Sequence, residues 1–169
     1  MRILFFILAC SLAATAAAQR IVPASDLARA AREAQAAHVP LVVFYTQPGC
    51  PYCERARLDY LEPMIADPAA RDRLRVVEVD ITSSAPLVDF AGRRTTQAAF
   101  AGSARVHLVP YLAFVGAGGE ALAEPLVGLT LPDFYLTYLE RRIDQARERL
   151  AQALISPPSG RAASATGGG

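Results

Sequence analysis

Cys50-Pro51-Tyr52-Cys53, two cysteines separated by two residues, carries the plainest chemistry in this sequence. Disulfide exchange needs a thiolate that attacks a sulfur and a second thiol close enough to resolve the resulting mixed disulfide. Both demands are met if Cys50 opens a helix. Unpaired backbone N–H groups and the positive end of the helix dipole then favour its thiolate. Cys53 falls one turn inside, where it is the natural resolving thiol. Glu54 beside the pair opposes thiolate formation, while Arg55 and Arg57 bring positive charge. The pair is the catalytic candidate.

Other uses of two such cysteines have their own requirements. A structural zinc site takes four ligands, and His38 and His107 stand far from the pair and out of ligand spacing. Haem attachment needs a histidine after the second cysteine, where this chain has Glu54. A purely structural bridge across so short a loop would stabilise by only about 2 kcal/mol. A copper ion or an iron–sulfur cluster shared between two molecules stays open as a binding role for two exposed thiolates. So does a bridge without turnover. No cofactor or metal is assigned.

The elements that must position the pair can be read outward from it. Leu41-Val42-Val43-Phe44-Tyr45 is an unbroken apolar run bounded by prolines, which predicts a strand buried on both faces. Gln47-Pro48-Gly49 makes a turn, and a helix is predicted from Cys50 with Cys53, Leu58, Leu61 and Ile65 on its inner face, kinked or ended by Pro63. A short helical piece follows Asp67-Pro68, and Val76 to Ile81 reads as a second strand, which completes a parallel crossover. Before these, Ser25-Asp26 starts a helix with Leu27, Ala30, Ala31, Ala34 and Ala37 on one stripe.

After them, Leu87 to Phe90 reads as a small extra strand and turn. Thr95 or Thr96 caps a helix running to about Ala104. Tyr111 to Val115 and Ala121 to Val127, joined by a glycine-rich turn, form an antiparallel hairpin. Thr130, with Pro132 in the first turn, caps a last helix carrying Phe134, Tyr138, Leu139, Ile143, Ala146 and Leu150. The pattern is α/β, a mixed central sheet flanked by helices.

The 169-residue chain supports one domain. Residues 1–18 read as a secretory signal, with Arg2, an apolar stretch to Leu12 and cleavage after Ala18, so that the protein is expected in the periplasm. Residues 19–155 form the domain, and the Pro, Ser, Gly and Ala of 156–169 a disordered tail. Ile7-Leu8-Ala9-Cys10 is the alternative, a lipidation site. Cleavage after Ala18 removes Cys10 and leaves Cys50 and Cys53 as the one pair among three cysteines. A net charge of +1 gives no field for nucleic acid.

Together these features resemble the thioredoxin superfamily over about residues 25 to 150: the strand feeding Cys50-Pro51-Tyr52-Cys53, the strand Val76 to Ile81, Val109-Pro110 ahead of Tyr111, and Leu126-Val127-Gly128 before the last helix. The segment Gln47 to Arg55 is most similar to periplasmic bacterial thioredoxins of the sulfur-oxidation (Sox) type. The resemblance implies a three-layer thioredoxin-like fold and a cis Pro110 facing the cysteines. It implies a Val109 backbone that pairs with an extended substrate, with Pro51 and Tyr52 completing the substrate contact. It further implies a monomer acting on thiols or disulfides of exported proteins, with a membrane electron donor behind it. Two departures stand out. Pro51-Tyr52 is the dipeptide typical of glutaredoxins, and the buried acid of thioredoxins falls at Phe44, which leaves Glu54 and Glu78 as candidates for that role.

Overall fold

The structure is a computed structural model and describes residues 20–129 and 131–155. The expected signal, the Cys10 lipidation site, the Thr130 cap and the C-terminal tail therefore lie outside the described residues. Strand β1 (Val22–Pro23) leads into α1 (Leu27–Ala36), whose N-cap Asp26 accepts a hydrogen bond from the Arg29 N–H at 2.7 Å. Strand β2 (Leu41–Thr46) follows, and all six of its residues are buried.

That burial organises the whole domain. Val42 and Phe44 point into one core with Leu112, Phe114, Leu139 and Ile143. Leu41, Val43 and Tyr45 point into another with Leu27, Ala31, Val79 and Ala101. Alternation along one strand thus feeds both apolar layers, as the pleat requires.

From Cys50 a helical run continues to Ala66 in three pieces, α2 (Pro51–Arg55), a π segment (Ala56–Leu61) and α3 (Glu62–Ala66). The sequence predicts a kink or an end at Pro63, and the helical run does not end there. The Glu62 N–H bonds to the carbonyl of Arg57, five residues back. A turn that wide draws the carbonyl four residues before Pro63 away from its ring, the contact that kinks an ordinary α-helix. It also shifts the helical phase, so Leu58, expected on the inner face, is 56% exposed while Leu61 is buried.

A 3-10 turn (Pro68–Asp72) leads to β3 (Arg75–Asp80), parallel to β2 in the register Phe44 beside Glu78. Strands β4 (Pro86–Val88) and β5 (Arg94–Thr96) pair with each other in a separate two-stranded sheet, and Thr96 caps α4 (Gln97–Ser103). Strands β6 (Tyr111–Val115) and β7 (Ala121–Val127) form the expected hairpin, followed by α5 (Pro132–Ile155). The main sheet runs β1-β3-β2-β6-β7, with β2 central, and α1 and α4 pack on one face while α2, α3 and α5 cover the other. This is the mixed sheet flanked by helices that the pattern predicts. Pro125 sits in the outermost strand, where a missing N–H costs no ladder bond between central strands.

His38 ends α1 with φ at 56°, the left-handed conformation that favours glycine, and Val39 N–H closes the turn onto the Ala34 carbonyl. Its side chain is exposed. His38→Gly is therefore expected to stabilise the domain by about 1 kcal/mol, seen as a raised midpoint in urea unfolding.

Candidate active site

Strand β2 delivers the chain to the site, and Gly49 turns it. Its φ of +71° is a conformation most side chains resist, although a Cβ there would meet no atom within 4 Å. The glycine is required by backbone shape and not by crowding. Cys50 is then still extended and serves as the N-cap of α2, with Pro51 in the first turn where its missing N–H is no loss.

Cys50 and Cys53 are joined by a disulfide, with their Cα atoms 5.2 Å apart. Cys50 Sγ also accepts a hydrogen bond from the Cys53 backbone N–H at 3.1 Å. That donor aims at the sulfur that would carry negative charge in the reduced protein, and it adds to the field of the helix start. Cys53 is 1% exposed and Cys50 8%, while Tyr52 between them is 57% exposed. The order of accessibility matches an attacking Cys50 and a sheltered Cys53.

The Val109-Pro110 peptide is cis. Tyr45 pairs with Tyr111 across β2 and β6, so Pro110 lies where the same register would continue to Thr46, at the end of the sheet from which the cysteine loop leaves. Val109 packs against the core cluster containing both cysteines. The Pro110 carbonyl accepts the Gly128 N–H at 2.7 Å, whereas the Val109 backbone pairs with no other group among the described residues. The structure thus brings Cys50, Pro51, Tyr52, Cys53, Val109 and Pro110 to one end of the sheet. His107, on the same loop, is exposed.

Phe44 occupies the position where the resemblance would put a buried acid, and it is wholly enclosed. A carboxylate beside that position comes from the neighbouring strand. Glu78, beside Phe44 in register, is held by Arg57 through its two terminal guanidinium nitrogens, one at 2.7 Å, and accepts a hydrogen bond from the Thr46 hydroxyl at 2.7 Å. The Arg57 guanidinium lies 5.4 Å from the centre of the Phe44 ring. Its hydrogen bond to Glu78 holds its pKa above the usual arginine value, against the opposing effect of burial. Glu54 points to solvent, 3.7 Å from Arg57. Spacing alone could not pair Arg57 with Glu78, since strand and helix meet only in the fold. Among the described residues no group of three or more His, Cys, Asp or Glu side chains could hold a metal ion.

The thioredoxin-like domain family matches residues 27–143, a span that contains every residue of this site. The chain belongs to that family. A solved thioredoxin-like structure, the Trxlp protein of Edwardsiella tarda, is 29% identical with a TM-score of 0.50, covering 70% of this chain and 97% of its own. A thioredoxin-fold protein from Helicobacter pylori is 18% identical with a TM-score of 0.51, covering 70% and 81%. The periplasmic thioredoxin SoxS of Paracoccus pantotrophus is 23% identical with a TM-score of 0.45, covering 63% and 98%. No curated protein matches the chain. Thioredoxin-like membership and a bonded Cys50–Cys53 pair support thiol–disulfide oxidoreduction as the general chemistry.

After reduction, Cys50 is expected to react with a limiting amount of iodoacetamide at least about tenfold faster than the sheltered Cys53. Peptide mass spectrometry reads this ratio directly, and equal labelling would contradict the assigned order of the two thiols.

Proposed function

We propose that the protein is an exported thiol–disulfide oxidoreductase that reduces disulfides of partner proteins through Cys50 and Cys53. The observation that carries this reading is a disulfide between the helix-capping Cys50 and the sheltered Cys53 in a thioredoxin-like domain. In the reduced protein the Cys50 thiolate attacks a partner disulfide. A mixed disulfide forms, and the partner's second sulfur leaves as a thiolate that takes up a proton. Cys53 then loses its proton and attacks Cys50 Sγ. The mixed disulfide breaks, the partner leaves as a dithiol, and the bonded pair described above is restored. Two electrons have passed to the partner.

A further turnover needs a dithiol donor to reduce Cys50–Cys53 again. The apolar N-terminal segment with small residues at Ala16-Ala17-Ala18 favours export to the periplasm, and a donor there would be a membrane protein that carries electrons outward. The likeness of Gln47 to Arg55 to Sox-type thioredoxins favours the reducing direction. In this reading the protein works as a monomer. The partner is an extended chain that pairs with the Val109 backbone beside Pro110, with Pro51 and Tyr52 forming the rest of the contact.

Cys50→Ser is expected to abolish reduction of insulin disulfides, and Cys53→Ser to accumulate mixed disulfides with exported proteins, visible as bands lost on adding dithiothreitol. Full activity in Cys50→Ser would end this reading. Iron or copper bound in stoichiometric amount after anaerobic purification would replace it with a metal- or cluster-holding role for the same two thiols.

A further inference from the structure

Arg57, Glu78, Thr46 and Phe44 form a nearly enclosed group beneath the cysteine helix that the exchange chemistry above does not use. Arg57 stands one turn beyond Cys53 on the same helical run, and Phe44 shares its core cluster with both cysteines. Glu78 on β3 grips Arg57 and accepts a hydrogen bond from the hydroxyl of Thr46, the last residue of β2 before the cysteine loop. Side-chain exposure is only 16% for Arg57 and 15% for Glu78. The surrounding charges are more open to water. Glu54 is 61% exposed, and Arg55 and Asp59, 3.5 Å apart, are each about half exposed. Glu62 acts on Arg57 only through longer-range attraction. Solvent and salt screen those groups far more than the enclosed pair.

We infer that Arg57 and Glu78 are positioning residues that set the reduction potential of the Cys50–Cys53 pair, as two opposite charges balanced at the floor of the site. The inference rests on Cys50–Cys53 being a redox pair. Reduction places a thiolate at Cys50, so any uncompensated charge nearby changes the balance between dithiol and disulfide. With the pair intact its two charges nearly cancel. Removing the anion leaves a cation that favours the thiolate, and removing the cation leaves an anion that opposes it. Phe44 explains why the balance is external to β2: the strand offers an apolar ring where a carboxylate could stand, and the ring holds the guanidinium instead.

The test measures the exchange constant with reduced and oxidised glutathione at mildly alkaline pH for the wild type, Glu78→Gln, Arg57→Met and the double variant. Glu78→Gln should shift the equilibrium about tenfold toward the dithiol, about 30 mV more oxidising, and Arg57→Met about as far the other way. The double variant should return to within about threefold of the wild type. A merely structural pair would not produce opposite signs, so shifts in the same direction, or none, overturn the inference. If one single variant does not fold, the sign of the other decides alone. Wild-type protein that fails to exchange with glutathione would defeat the redox reading as well, whereas normal exchange with unmoved potentials defeats this inference only.

Discussion

Strand β2 has no face turned to water, and the rest of the molecule follows from that. A six-residue strand that is buried throughout must be flanked by strands on both edges and by helices on both faces. Parallel β3 and antiparallel β6 satisfy its backbone, and the two apolar clusters satisfy its side chains. Because β2 is fixed from all sides, the point where it ends is fixed too. The turn at Gly49 and the capping Cys50 inherit their position from the most constrained element in the domain. A reactive sulfur at the end of such a strand needs little further support to stay in place.

The polar groups around the site show the same economy. Thr46, itself buried, does not waste its hydroxyl, and Glu78 and Arg57 meet each other before either meets water. Two charges taken together out of solvent are tolerable where one alone is not. The link also ties β2, β3 and the helical run to one another. On the opposite face of β2, Tyr45 stacks near Phe100 and meets Tyr111 edge-on, and burial pushes its phenol well above the usual tyrosine range.

Much of this was legible in the sequence because it rests on local signals. An apolar run of β-formers bounded by prolines, a CxxC at a predicted helix start, and a glycine turn between two strands each announce themselves within a few residues. Strand β1 has only two residues, too few to show alternation. Strand β5 is Arg94-Thr95-Thr96, whose threonines read only as candidate helix caps until their partner Pro86–Val88 is known. The π turn leaves no repeat to detect, since it breaks the spacing on which a helical stripe depends, and so the pattern places Pro63 and Leu58 as an ordinary α-helix would. In the sequence Arg57 is a charge near the thiolate and Glu78 a candidate acid. That they neutralise each other is a fact of tertiary register alone.

The outer strands of the main sheet carry a consequence of their own. Pro23 lies in β1 and Pro125 in β7, so each boundary strand has a gap in its row of amide donors. Extended chains looking for a sheet to join find poor templates at both margins. For a protein proposed to pair with an extended partner chain, this separates two kinds of encounter. The proposed encounter takes place at the cysteine end, while the flanks of the sheet resist being recruited into aggregates.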